Sequence, residues 1–444
     1  MKKTQYKTIL GLLLGLSAFA VLVGLAAWFL LGQSSPQGAP LDPESQSQPV
    51  QDGPAKGLAL SGALQGVMLD GPEYMLLSGG STPDGFYYIE SRPEDMYAGN
   101  IRYVDFASRQ DIYLSGLVNS DHASDTDPSY IDSIVGWHTM FCAGDKLYFL
   151  RGGASSELDA DLPQDLFGAL YQMELDGSGR TCLYQADAAG SLEPDALCDD
   201  ESIYLFERGM DGVSVVQVPI AGGAAQKVLL PGFSQLKHCQ GSSIYYLKLD
   251  TDTEEMQLVC FDLASLTTTV LDIPTDGSFV FTPQHIYSFG SMYLAADPQR
   301  MRTAEIYTLQ GEFVQSLDLS PVIPANSWGL SQPRLIGGKM IWDCWNDESK
   351  AYYSAVLDVD TQQLSKTLIP CQFDKNGEQQ PAEIIAQAGS QFLIVHRRAA
   401  RQVSVPNPDG TTANFTTERY ELALIPQEDY FAGITANMQF ITAE

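Results

Sequence analysis

Residues 171–184, YQMELDGSGRTCLY, contain the pattern that decides the fold of this chain. Aromatic and aliphatic side chains at 171–175 favour a β-strand. Asp176 and Gly177 favour a tight turn, and residues 181–184 begin a returning strand. The stretch therefore predicts a β-hairpin.

The same unit recurs along the chain, and each copy starts with a short turn followed by an apolar strand. One residue of each strand serves as an anchor for counting, and consecutive anchors are 41 to 61 residues apart. Such spacing is typical of propeller blades. The sequence predicts an all-β chain with a single β-propeller at 57–444, most simply of seven four-stranded blades, with six or eight as alternatives. The anchors are Tyr87, Tyr148, Tyr204, Tyr245, Tyr293, Ile341 and Leu393.

The turn at 175–179, LDGSG, and the Ile-Tyr-Tyr and Leu-Tyr-Phe strands make residues 80–434 resemble extracytoplasmic propellers of the TolB-like and YWTD-type groups. The repeats depart from a strict YWTD or WD pattern. The resemblance implies a ring that binds proteins or glycans in the cell envelope. Ring closure is expected to pair residues 57–78 with the C-terminal strand near Asn437–Thr442, which would cover both sheet edges.

The N-terminus predicts a membrane anchor that precedes the propeller. Residues 9–32 hold 24 residues without a charge, enough to cross a hydrocarbon core of about 30 Å. Lys2, Lys3 and Lys7 precede this segment, so 1–8 is predicted to be a cytoplasmic tail. Residues 33–56, rich in Pro, Ser and Gln, predict a linker. We expect a single-pass cell-membrane protein whose C-terminal domain is extracytoplasmic.

Charge and cysteine content exclude several classes of protein. The chain has 25 Lys and Arg against 55 Asp and Glu, a net charge of −30, which repels nucleic acid. Its seven cysteines include no CxxC pair and none before Cys142, so neither a zinc ribbon nor a lipobox is present. We interpret them mainly as small core residues.

The most unusual local sequence is residues 342–347, WDCWND. Residues three apart in a strand face opposite sides, so one indole should pack inward and the other face outward. Trp345, Asp343 and Asp347 are the predicted binding residues, because an exposed indole can stack on a sugar or a partner. The alternative is that Trp342 and Trp345 both fill gaps between blades.

No cofactor is predicted, with calcium as the alternative. Asp250, Asp252 and Glu254 carry oxygens that suit calcium, although Glu255 stands where a calcium-hand loop needs glycine. The five histidines show no metal-site spacing. Such acidic stretches also form ordinary turns.

Two functions follow from this pattern. The first is a non-catalytic binding, sensing or scaffolding module for an envelope protein or glycan. The alternative is an anchored glycan-active hydrolase or lyase that uses carboxylates facing the channel. A serine hydrolase is excluded, because the chain has no GxSxG motif.

Overall fold

The computed structural model describes residues 57–68, 77–92, 95–117, 120–132, 134, 137–153, 167–187, 190–250, 252–290, 300–374, 377, 379–406 and 412–443. The predicted tail, anchor and linker at 1–8, 9–32 and 33–56 lie outside these described residues. Within the described ranges, no helix combines the length and apolar character that a membrane crossing requires.

The described strands form seven sheets, and six of these follow a regular pattern in which strands consecutive in the chain pair antiparallel. We call these six sheets blades 1 to 6. The first strand, β1 (Gln65–Met68), precedes them. Blade 1 contains β2 (Gly79–Ser81), β3 (Gly85–Arg92), β4 (Asp95–Asp105) and β5 (Gln110–Tyr113), with the short β6 (Tyr130–Ile131) beside β4.

Blades 2 to 4 have four strands each, and chain order follows their order from the inner to the outer edge of the blade. Blade 2 contains β7 (His138–Ala143), β8 (Lys146–Arg151), β9 (Ala169–Glu174) and β10 (Thr181–Gln185). Blade 3 contains β11 (Ser191–Cys198), β12 (Ser202–Gly209), β13 (Gly212–Pro219) and β14 (Gln226–Leu230). Blade 4 contains β15 (Phe233–Gln240), β16 (Ser243–Leu249), β17 (Met256–Asp262) and β18 (Thr267–Leu271).

Blades 5 and 6 continue the series with small variations. Blade 5 has a 3₁₀ turn at Arg300–Arg302 between its second and third strands, and blade 6 has an inner edge in two pieces. Blade 5 contains β19 (Gly277–Phe281), β20 (His285–Gly290), β21 (Thr303–Thr308) and β22 (Phe313–Asp318). Blade 6 contains β23 (Ser327–Gly329), β24 (Arg334–Ile336), β25 (Lys339–Asn346), β26 (Ala351–Asp358) and β27 (Leu364–Thr367).

The seventh sheet, which we call the C-terminal sheet, is irregular. Its β28 pairs with β31 in parallel, while β30 pairs with the same strand antiparallel. A six-residue helix, α1 (Gln427–Ala432), follows β32. The strands are β28 (Pro370–Phe373), β29 (Gln379–Pro381), β30 (Glu383–Ala388), β31 (Gln391–Pro406), β32 (Thr412–Pro426) and β33 (Gln439–Phe440).

Six of the seven predicted anchors occupy the same place in the fold. Each is the third residue of the strand next to the inner edge, as Tyr204 is in β12 and Leu393 is in β31. The fifth prediction, Tyr293, is wrong. The corresponding strand is β20, whose third residue is Tyr287, and Tyr293 lies outside the described residues.

The core consists of apolar layers between neighbouring sheets, since each blade buries both faces. One cluster joins blades 1 and 2 through Ile101 and Phe149, and further clusters join each successive pair. The last cluster contains Val104 of blade 1, Val356 of blade 6 and Leu393 of the C-terminal sheet. The sheets therefore close into one ring, which confirms the prediction of an all-β single propeller.

The predicted mode of ring closure is wrong. β1 pairs with the inner edge of blade 3, where Gly66 is opposite Leu197. The C-terminal strand β34 (Thr442–Ala443) instead pairs with the outer strand of blade 1 in parallel. The reason is that Leu58 and Leu64, at 3% and 5% exposure, belong to the core between blades 3 and 4.

One hairpin of the C-terminal sheet has two distinct halves. Residues 392–395 of β31 and 422–425 of β32 are buried. Residues 397–406 and 412–421 continue the antiparallel pairing beyond that core, after a shift of register between Val395 and Arg397. We call this second half the arm. It brings charged side chains next to blade 1, as the ion pair between Arg401 and Glu90 shows.

All seven cysteines are free thiols. Four of them are buried, which agrees with their interpretation as core residues. These are Cys198, Cys239, Cys344 and Cys371.

Candidate binding site

The two tryptophans of the WDCWND stretch face opposite sides of β25. Trp342 is 4% exposed and packs against Phe289, with ring centroids 5.6 Å apart. Trp345 is half-buried. Their placement agrees with the strand geometry expected from sequence, in which Trp345 is the indole closer to solvent.

Trp345 belongs to an aromatic row that crosses blade 6. Trp328 is its partner on β23, and Tyr352 is its partner on β26, with ring centroids 4.6 Å apart. Asp347 accepts a hydrogen bond from each indole, at 2.8 Å from Nε1 of Trp328 and 3.1 Å from Nε1 of Trp345. These bonds lower the pKa of Asp347. The row thus holds two indoles in place beside an ionised carboxylate.

Asp343 has a different role from the other two predicted residues. Its carboxylate accepts a hydrogen bond from Oγ of Ser354 at 2.9 Å, and burial raises its pKa against the opposing effects of Ser354 and Arg334. The structure brings Trp345 and Asp347 into contact, whereas Asp343 is bonded to a neighbouring strand.

The predicted calcium residues form a turn between β16 and β17. Oδ1 of Asp250 accepts the backbone N–H of Asp252 at 2.9 Å, and Oδ2 accepts a bond from Gln257 at 3.2 Å. Glu254 donates its backbone N–H to the carbonyl of Asp250. Both carboxylate oxygens of Asp250 therefore stabilise the turn. In the described part of the chain, no group of three or more metal-ligating side chains converges.

A cavity that sequence reasoning missed lies between the arm and blade 1. We call it the arm pocket; its volume is about 330 Å³. Blade 1 contributes Tyr88, Glu90 and Arg102, while the arm contributes Arg401 and Arg419. The pocket joins residues more than 300 positions apart, as the 3.2 Å contact between Arg401 and Glu90 illustrates.

The floor of the arm pocket is a buried polar network. Arg102 is 1% exposed, and its Nε donates to Oδ1 of Asp111 at 3.0 Å. The hydroxyl of Tyr88 donates to Oδ2 of the same carboxylate at 2.8 Å. Burial raises the pKa of Tyr88, and Asp111 raises it further. Burial lowers the pKa of Arg102, but Asp111 and Tyr88 raise it overall, so the guanidinium stays charged.

A second layer of contacts supports this floor from below. The Arg102 guanidinium lies 4.1 Å from the ring centroid of Tyr113, which stacks on His122. His122 in turn bonds Asp127 at 2.8 Å through Nδ1. Hydrogen bonds from Ser120, Ser129 and Ser115 lower the pKa of Asp127 although burial opposes them. The floor is therefore fixed by packed and bonded neighbours.

The rim of the arm pocket is more exposed than its floor. Arg401 is 45% exposed and Glu90 is 32% exposed, and the two are paired. Arg419 is exposed and, among the residues that the structure describes, has no ion pair or hydrogen bond. Arg92 donates to the carbonyl of His122 at 2.6 Å. The rim presents guanidinium groups to solvent on a strongly acidic protein.

The inner edges of the sheets carry few carboxylates. In the described strands that form these edges, the acidic residues are Glu193, Asp195 and Glu383. Glu193 pairs with Arg208 at 2.5 Å, and Glu383 lies 3.7 Å from Arg334. β1 also lies at this edge, beside β7 and β15. The inner side of the ring therefore contains paired acids and an additional strand.

Comparison with known proteins finds solved structures that are similar to this chain at a low level. No family model and no curated protein matches it. It is similar to the β-propeller domain of the Trilobed protease from Pyrococcus furiosus, with 8% identity and a TM-score of 0.45 over 82% of this chain and 96% of that one.

Two other solved structures are similar at the same level. A post-proline cleaving enzyme from Rickettsia typhi is 10% identical with a TM-score of 0.41, over 80% of this chain and 49% of the enzyme, so this chain spans about half of it. An uncharacterized protein from Listeria monocytogenes EGD-e is 9% identical with a TM-score of 0.40, over 68% of this chain and 80% of that one. The propeller assignment of this chain rests on its own sheets.

Proposed function

We propose that this protein is a membrane-anchored, extracytoplasmic propeller that acts as a non-catalytic binding, sensing or scaffolding module for an envelope protein or glycan. The observation that carries this proposal is the arm pocket. Its floor is a fixed network around Arg102, while its rim offers Arg401 and Arg419 to solvent. A concave site with a few convergent polar groups is the usual form of a binding site.

The sequence supports the location. The 24 uncharged residues at 9–32 are long enough for a transmembrane anchor, and Lys2, Lys3 and Lys7 favour a cytoplasmic N-terminus. The resemblance to TolB-like and YWTD-type propellers favours the same side of the membrane. In this proposal the C-terminal sheet is the seventh blade, because its core cluster also contains residues of blades 1 and 6.

The paired acids of the inner edges favour binding over glycan cleavage. A glycosidase needs two carboxyl groups that flank one bond, one of them able to donate a proton. Glu193 and Glu383 are each paired with an arginine of the protein itself. The proposal therefore assigns the acids of the ring to stability and solubility.

The test is to add envelope glycans and peptidoglycan fragments to the full-length chain in detergent micelles and to follow the melting temperature and product release together. A ligand at about 100 times its dissociation constant should stabilise the fold by about 2.7 kcal/mol. We expect stabilisation without cleavage. Photocrosslinkers placed at Arg419 and at the control position Met210, which is 93% exposed on blade 3, test the protein alternative in membranes.

Product release that disappears in Glu193→Gln or Glu383→Gln would contradict the proposal. Equal crosslinking from both positions, together with no stabilising glycan, would contradict it as well.

A further inference from the structure

The arm pocket has a charge that contrasts with the rest of the molecule. The chain has 55 acidic and 25 basic residues, yet four arginines line this one cavity. They are Arg92, Arg102, Arg401 and Arg419. Three acids also line it, and one of them, Glu418, is paired with Arg398. The pocket is therefore a local site of positive charge on an acidic surface, which attracts anions.

The arginines of the pocket differ in how many ion pairs and hydrogen bonds they make within the protein. Arg102 is buried and bonded to Asp111 through Nε and, at 2.9 Å, through Nη2 to its backbone carbonyl. Arg401 is half-exposed and shares Glu90 with Arg102, whose Nε is 3.9 Å from that carboxylate. Arg419 has no ion pair or hydrogen bond among the described residues. Arg401 and Arg419 thus offer guanidinium donors to a ligand.

Guanidinium groups prefer planar anions, because their parallel N–H donors match the two oxygens of a carboxylate. An acidic peptide side chain would satisfy this preference with its carboxylate alone. The pocket also contains groups that can hydrogen-bond to ligand hydroxyls, namely the carboxylate of Glu90 and the side chains of Ser91 and Thr417. The ring of Tyr420 adds an aromatic face. Acceptors and an aromatic face beside a cationic group suit a polyhydroxylated ligand that carries a carboxylate.

The size of the pocket limits the ligand further. A volume of about 330 Å³ is at the lower end of the usual range for small-molecule sites, about 300–1,000 Å³. It accommodates one sugar residue better than a long oligosaccharide. The opening between arm and blade leaves the remainder of a chain outside.

We propose that the arm pocket binds the carboxylate of an acidic sugar residue of the uronic acid type, with Arg401 and Arg419 as its anion-binding residues. This inference rests on the proposed function as a binding module and names its ligand class. Glu90 orients Arg401 through their ion pair and accepts a sugar hydroxyl when the ligand is bound.

The test is calorimetric titration of the full-length chain in detergent micelles with methyl glucuronide, methyl glucoside, N-acetylglutamate amide and inorganic phosphate. We expect binding of the glucuronide and much weaker binding of the other three. Arg401→Gln and Arg419→Gln should each weaken glucuronide binding about tenfold or more, since each loses a charged hydrogen bond.

Arg208→Gln is the matched control. Arg208 is 49% exposed and paired with one carboxylate, Glu193, just as Arg401 is 45% exposed and paired with Glu90. Arg208→Gln should leave glucuronide affinity unchanged. Arg419→Gln removes no ion pair, so it keeps the test valid if Arg401→Gln lowers the melting temperature.

Three results would overturn the inference. The first is no glucuronide binding to the wild-type protein. The second is equal or tighter binding of glucoside, N-acetylglutamate amide or phosphate. The third is an affinity that Arg401→Gln and Arg419→Gln leave unchanged. Stabilisation by another envelope ligand in the earlier experiment would leave the proposed function standing while this inference fails.

Discussion

Blade 3 and the C-terminal sheet are both built around a central hairpin, but they stabilise it differently. In blade 3 the pairing of β12 with β13 runs from Ser202 opposite Pro219 to Gly209 opposite Gly212, and six of the eight β12 residues are buried. In the C-terminal sheet the run of buried residues ends at Val395, and the hairpin continues as the arm, where Val403 is the one buried side chain among those described.

The difference shows what supports a strand outside an apolar core. The arm is held by pairs between oppositely charged side chains, such as Arg398 with Glu418, and by Arg397 with Asp374. Arg398 also lies over Phe373, with its guanidinium 4.5 Å from the ring centroid. Exposed pairs of this kind contribute little to stability, so the arm is supported less strongly than the buried half of the hairpin.

The largest expected effect is on the free energy of unfolding. It tests whether the buried half of the C-terminal hairpin unfolds together with blade 3. Phe392 and Phe206 are both 0% exposed, and Phe392 packs edge-on against Tyr430 and Phe431. Phe392→Ala and Phe206→Ala should each lower the free energy of unfolding by about 3–5 kcal/mol in urea titrations. Met210→Ala is the control. An early separate transition in Phe392→Ala would show that the C-terminal sheet unfolds independently.

A second prediction concerns the polar floor under the arm. Arg102→Met leaves the Asp111 carboxylate buried with Tyr88 as its remaining side-chain donor, and should cost about 3–5 kcal/mol by urea unfolding. The double variant Arg102→Met with Asp111→Leu should recover part of this loss, because no buried charge is left unpaired. A cost below about 1 kcal/mol for the single variant would mean that water reaches the floor.

A third prediction concerns the pH dependence of stability and compares two histidines, one in a regular blade and one in the C-terminal sheet. Burial lowers the pKa of His238 in blade 4 to about 4, from about 6.5 in the unfolded chain. Folding favours the neutral imidazole of His238. Its contribution to the free energy of unfolding is therefore complete above pH 6.5 and is lost as the pH falls toward 4.

Urea unfolding at intervals between pH 7.5 and 4 should show a loss of about 1–3 kcal/mol that His238→Phe removes. Phe suits this site, because His238 stacks on Phe281 with centroids 4.7 Å apart. Burial also lowers the pKa of His396 in β31, but Glu421 opposes it, so a weaker dependence is expected there. Identical pH profiles of wild type and His238→Phe would refute this assignment.

The smallest effect is expected in the arm itself. Arg398→Ala removes the cross-strand pair with Glu418, and should cost less than about 1 kcal/mol by urea unfolding. Arg208→Ala is the comparison in blade 3, since it also removes one exposed pair, with Glu193. A cost several times larger for Arg398→Ala would show that the arm is part of the cooperative core.

The repeat positions could be predicted from sequence because each blade repeats one local pattern, an aromatic or aliphatic residue shortly after a turn. The prediction failed at Tyr287, whose strand follows Thr282 and Pro283 and lacks the Gly or Asp turn residues of the other repeats. Ring closure could not be predicted. The position of this segment depends on the packing of Leu58 and Leu64 between blades 3 and 4, and no local sequence pattern indicates that packing.

The candidate site was predictable in one part. Strand periodicity placed Trp345 on the more exposed side, and the adjacent Asp347 is bonded to it. Trp328 could not be assigned to the same row, since its pairing depends on register across blade 6. The arm pocket gave one weak signal, the clustering of arginines between 397 and 419 in an acidic chain. Its position against blade 1 depends on closure of the whole ring.

The two ends of the domain meet the ring at different places, and this decides how it bears mechanical load. A pull on the N-terminal side of residue 57 is resisted where the chain is bonded to blade 4, through Leu58 to Leu263 and Leu64 to Gly241, and where β1 pairs with blade 3. The seam between the C-terminal sheet and blade 1, closed by Thr442–Ala443, lies outside that path. Tension applied at residue 57 would therefore reach blades 3 and 4 first, away from the arm pocket.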